Sequence, residues 1–227
     1  MAYNGAVSAP APLRIAPIFA APFASAVPAG AAELNAELAP LLIARATEAW
    51  RDPAAPLDPG RFESRPDLFQ WPEPAVARLR EMLLEHVGRV AAELSGFGAA
   101  EAAALRLQAK AWFGLVRPGG AVPARQHAMA SWCALYCVQS TDAPAERLDA
   151  GSLRLYDPRL GNAYLDAGNG RLRMPYGHGH FGARQSPGQL SIFPAHLLHE
   201  IAPLPESCTR PLVYVGATFR FALAEGA

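Results

Sequence analysis

Residues 112–138 read WFGLVRPGGAVPARQHAMASWCALYCV, and residues 186–221 read SPGQLSIFPAHLLHEIAPLPESCTRPLVYVGATFRF. Both stretches are short apolar runs cut by Gly and Pro, the punctuation of successive strands. The run before them, LRLQAKAWFGLV, places apolar residues at 105, 107, 109, 111 and 113, the period of a strand with one buried face. GSLRLYD (151–157) adds another short run. A series of strands this close together implies a sheet or barrel.

Working outward, the N-terminal half changes period. Residues 74–96 form the best helix of the chain, with Val76, Leu79, Leu83, Val87, Val90 and Leu94 on one stripe. Prolines stand at its start and Gly96 and Gly98 at its end. Residues 31–51 carry a second stripe at Leu34, Leu38, Leu41, Leu42 and Ala46, and Pro40 marks a break. The Pro-interrupted lead-in LRIAPIFAAPFASAVP (13–28) suits an edge strand, because Pro cannot donate to an interior ladder. Residues 1–12 are an Ala/Pro-rich arm, and residues 51–72 read as loop, with Phe62, Leu68 and Trp71 packing over a barrel mouth. Helices first and strands afterwards predict an α+β, mainly β chain in one domain, with helical support at 31–98 and a β core at 105–223.

Composition excludes several classes. A chain of 227 residues with 51% hydrophobic residues can bury one sizeable core. Its net charge of +0 argues against nucleic acid or an anionic membrane as partner. Three cysteines (133, 137 and 208) without a C-x-x-C indicate neither a disulfide framework nor a Cys-based zinc site. No apolar run reaches the ~20 residues of a membrane span. The apolar start lacks a basic flank and is broken by prolines, so a cytoplasmic location is expected. No Gly-rich nucleotide motif or GxSxG elbow occurs.

Chemistry gathers in the β segment. His127, His199 and, eleven residues later, Arg210 are two neutral metal ligands followed by a cation suited to a carboxylate. Taken alone, each His is as well explained by an ordinary buried hydrogen bond. The surrounding residues add more. Trp112, Gly119, His127, Asp157-Pro158-Arg159, Phe193-Pro194, His199 and Arg210 resemble, in register, a family of bacterial 2-oxoglutarate- and Fe(II)-dependent oxygenases. The likeness extends to residues 60–72, GRFESRPDLFQWP. It implies a double-stranded β-helix (jelly-roll) barrel braced by the N-terminal helices. It also implies Fe(II) on His127 and His199, and 2-oxoglutarate as cosubstrate paired with Arg210. Tyr136, on the strand after His127, is expected to face the pocket.

Two departures stand out. The family's His-x-His reads Arg125-Gln126-His127 here, and a guanidinium has only donors, so it cannot ligate a cation. A family Ser two residues after the cosubstrate Arg is Leu212. Three outcomes follow. His178 or His180, in the Gly-flanked YGHGHF segment, completes a three-His site of the cupin type that uses no 2-oxoglutarate. Metal binds weakly or only with cosubstrate. Or iron is lost, and Arg125 and Arg210 serve an anion-binding or scaffold barrel. The substrate, small molecule or peptide, is not legible, and the N-terminal helices are a candidate homodimer surface.

Overall fold

The computed structural model describes residues 16–144, 146, 147, 149–159 and 166–223; the expected arm at 1–12 lies outside them. Ten strands and three α-helices follow in order. They are β1 (Ala24–Ala26), α1 (Ala31–Ala44), β2 (Arg61–Glu63), α2 (Pro74–Ser95), α3 (Ala99–Ala104), β3 (Leu105–Val116), β4 (Val122–Arg125), β5 (Trp132–Gln139), β6 (Leu153–Tyr156), β7 (His180–Ala183), β8 (Leu190–Pro194), β9 (His199–Ile201) and β10 (Leu212–Leu223).

The strands form two antiparallel sheets. The larger has the order β1-β8-β5-β10-β3-β2 and the smaller the order β4-β9-β6-β7. From β3 onward the chain passes repeatedly from one sheet to the other. Side-chain alternation then sorts two cores. On β10, Val213, Val215, Ala217 and Phe219 pack with Leu34, Leu38 and Leu42 of α1 and Val76, Leu79, Leu83 and Val87 of α2. On its opposite face, Leu212 and Tyr214 meet Val122 and Ile201 of the smaller sheet. Each buried Leu or Val on these stripes contributes about 1.5–3 kcal/mol.

Burial along β3 records this layering. Residues 105–110 alternate between half-buried and exposed, whereas 111–116 are buried throughout, because there both faces of the strand are covered. Two glycines permit close approach inside. A Cβ on Gly114 would stand 2.3 Å from the Tyr214 ring, and one on Gly216 would stand 2.5 Å from the Trp112 ring.

Three expectations need correction. The first helix ends at Ala44 rather than 51, and a separate 3-10 turn follows at Glu48–Trp50. Residues 61–63 are a buried strand paired with β3, not loop. Phe62, Leu68 and Trp71 join the core under the helices instead of covering a barrel mouth. The strand-versus-loop error is physical: β2 is only three residues long and is held by a partner some fifty residues away.

Candidate metal centre

Two strands of the smaller sheet deliver the first components. β4 pairs with β9 so that Val122 faces Ile201 and Arg125 faces His199. Three steps along β4 match two along β9, so β4 carries a bulge between these pairs. Pro123 falls inside it, where a missing N–H breaks no ladder bond. The bulge turns Arg125 to the side that Val122 occupies. His127 follows β4, and its backbone N–H is tied to the Ala195 carbonyl at 2.9 Å, beside the end of β8.

The two imidazoles lie together, with ring centroids 5.3 Å apart. His199 is buried, and its Nδ1 donates to the Leu197 carbonyl at 2.9 Å. That bond fixes the tautomer and leaves Nε2 with a free lone pair. Nε2 of His127 is buried without a hydrogen-bond partner. Burial lowers both pKa values to about 4, and for His127 the neighbouring His199 and Arg125 add to the effect. Both rings are therefore neutral at pH 7, the state that ligates metals.

A third donor stands beside them. Cys133 is on the inward face of β5, and its Sγ and one nitrogen from each of His127 and His199 all lie within 4.8 Å of one another. Among the described residues these three are the His, Cys, Asp and Glu side chains that converge in this way.

Arg125 is held back from the imidazoles by its own partners. Its guanidinium pairs with Glu63 of β2 at 2.6 Å and lies 5.3 Å from the centre of the Trp112 ring. The same Glu63 oxygen accepts the Tyr214 hydroxyl at 2.9 Å. Burial opposes the guanidinium's charge, but the ion pair with Glu63 more than offsets this and raises its pKa. Burial, reinforced by Glu63, likewise pushes the Tyr214 hydroxyl up. Arg125 and Glu63 thus form an ion pair, joined by the Tyr214 hydroxyl, beside the imidazoles.

Other expected residues are not brought here. Tyr136 points to the helical side of the larger sheet, and its hydroxyl donates to Asn35 of α1 at 2.8 Å. One residue of strand parity separates it from the inward positions of β5. Arg210 is exposed, and its Nε donates to the Ser140 carbonyl at 2.9 Å. His180 shares the register of Tyr156, one residue from the Leu155–Phe181 pair that faces the interior, so it projects outward and is exposed. His178 sits 3.6 Å from Asp157, which also pairs with Arg159 at 2.6 Å. His178, His180, Asp157 and Arg159 line a cavity of about 320 Å³ together with Phe23 and Met174.

Glu63 is a site residue with no sequence signal, because its partner Tyr214 lies 151 positions away. Cys133 did carry one: it shares the alternation of the inward residues Leu135 and Cys137, yet by type alone it reads as a core filler.

No family model matches the chain, and no curated protein matches it. Solved structures do. A Pseudomonas putida prolyl-4-hydroxylase is 17% identical and superposes with a TM-score of 0.53, over 87% of this chain and 91% of that one. The non-heme alpha-ketoglutarate-dependent epimerase SnoN of nogalamycin biosynthesis is 14% identical, with a TM-score of 0.57 over 89% and 80%. HygX from Streptomyces hygroscopicus, solved with nickel and 2-oxoglutarate, is 16% identical, with a TM-score of 0.51 over 86% and 82%. At these identities the likeness is one of fold. Among the described residues no helix is long and apolar enough to cross a membrane.

Proposed function

We propose that the chain is a double-stranded β-helix metalloprotein of the 2-oxoglutarate/Fe(II) oxygenase superfamily, an oxidoreductase with its metal on His127 and His199. The observation that carries the reading is the pair of neutral imidazoles, one with a buried unpartnered Nε2 and the other with Nε2 freed by its Nδ1 bond. A buried ring nitrogen without a partner costs stability unless something binds it. The fold likeness to oxygenases supports the same conclusion. Bound there, Fe(II) would supply the activation of dioxygen for oxidising a substrate. The chain's own residues hold His199 in the ligating tautomer, through its bond to the Leu197 carbonyl, and keep Arg125 neutralised by Glu63.

The cosubstrate fits less well than the metal. Arg210 is turned to solvent, and Leu135, Cys137, Ile201 and Leu212 fill the inner core between the sheets. Anaerobic calorimetry with Fe(II), with and without 2-oxoglutarate, tests the reading. Binding near one equivalent that is lost in His199→Ala supports it, and absence of binding in both conditions overturns it. Succinate formation in air then separates an oxygenase from a second reading, a metal-binding barrel without turnover. The ionised Arg125–Glu63 pair at the first ligand position favours that second reading.

A further inference from the structure

The oxygenase pattern completes its metal site with a carboxylate or a third imidazole. Among the described residues neither converges on His127 and His199. Glu63 is committed to Arg125 and Tyr214, Asp157 to Arg159, and His178 and His180 lie elsewhere. What the fold does place against both imidazoles is a thiol.

We propose that Cys133 is the third protein ligand, so that His127, Cys133 and His199 form a centre of two imidazoles and one thiolate. This rests on the metal reading above and names the ligand that reading leaves open. Three observations converge on it. The three donor atoms already lie within 4.8 Å of one another. A zinc-like ion with bonds of about 2.1 Å to nitrogen and 2.3 Å to sulfur spaces its donors roughly 3.5 Å apart, so closure by about an ångström suffices. Cys133 is inward on β5, opposite Phe193 of β8 and Thr218 of β10, in a strand that cannot turn it away without losing register. His127, one of the three, carries a buried Nε2 without a hydrogen-bond partner.

Charge favours the assignment. Arg125 and Glu63 cancel, so Cys133 is the one donor of the three able to bring negative charge to a divalent ion. Burial holds the free thiol protonated, with its pKa pushed up to about 12, although Arg125 works in the opposite direction. Metal binding displaces that Sγ proton to solvent as the metal–sulfur bond forms. A thiolate and two imidazoles select zinc, cobalt(II) or iron(II) over magnesium or manganese.

Cobalt(II), added anaerobically to the full metal-free chain, reads the ligand directly. We expect an intense near-ultraviolet sulfur-to-cobalt charge-transfer band, displaced by zinc. Cys133→Ser removes the band and weakens binding by at least the roughly 10–100-fold typical for loss of an outer-sphere partner. Cys137→Ser, two positions deeper on the same face, keeps the band. A wild-type band that survives both Cys137→Ser and Cys208→Ser identifies the thiolate as Cys133, so a Cys133→Ser variant that fails to fold does not obscure the answer. Visible d–d bands without the charge-transfer band would overturn thiolate ligation while leaving the two-imidazole site standing. No cobalt binding at all would overturn both.

Discussion

Arg125 and His199 stand directly opposite each other across the β4–β9 ladder. A cation thus faces a buried imidazole across this ladder, and the fold answers it with Glu63 at 2.6 Å from a third strand. Removing the cation alone leaves Glu63, whose side chain is only 9% exposed, uncompensated. Arg125→Leu should cost about 3 kcal/mol, the lower end for breaking a buried pair. Adding Glu63→Gln should recover part of that loss, since the charge disappears while Tyr214 keeps an acceptor. Urea unfolding of the two single variants and the double variant measures the coupling, and simple additivity would refute it.

Gly216 lies where Trp112 crosses β10. Gly216→Ala puts a methyl 2.5 Å from the indole ring and should destabilise by about 1–3 kcal/mol as an overpacked core. Trp112 also contacts Arg125 and His127, so the displaced ring should weaken metal binding. Thermal unfolding and a metal titration on the same preparation show whether the two effects travel together.

Tyr136→Phe is expected to behave in the opposite way. It strands the Asn35 Oδ1 acceptor under α1, at about 1–3 kcal/mol, yet leaves metal affinity at the wild-type value. A large change in affinity would show that Tyr136 acts on the site after all.

The metal-free protein should lose stability in mild acid. Burial holds His127 and His199 at about 4, below their ordinary 6.5. Between these values the unfolded chain binds more protons than the folded one, so stability rises with pH across this window and is lost as pH falls through it. Denaturant midpoints from pH 7 to pH 4 should decline for the wild type and decline less for a His127→Asn, His199→Asn double variant.

Asp142 should govern a lower acid limb. Its carboxylate accepts the Thr209 hydroxyl and the Thr209 and Arg210 backbone N–H groups, which depress its pKa, the hydroxyl most. A depressed carboxylate stabilises the fold above its unfolded pKa, and that stability fades as pH falls through the folded value. Asp142→Asn should flatten this limb in an acid titration followed by circular dichroism. The same staple fixes the Thr209–Arg210 backbone, the segment from which Arg210 reaches Ser140 instead of the interior.

Sequence by itself determined the elements whose pattern is local. The stripe at Val76, Leu79, Leu83 and Val87 specifies α2, and the alternation from Leu105 to Phe113 specifies β3. The pairing of His127 with His199 was also legible, through the spacing and flanking residues that resemble an oxygenase motif. Tertiary structure decided the rest. Whether Tyr136 faces helices or interior depends on one residue of strand parity, which a bulge or slip reverses. Arg210 turns outward because Asp142 and Ser140 capture its segment from 68 and 70 positions away. Glu63 meets Arg125, and Cys133 meets two imidazoles, only once two sheets close on each other. Contacts between residues so distant in sequence leave no periodic signal, and the chemistry of this centre is made of such contacts.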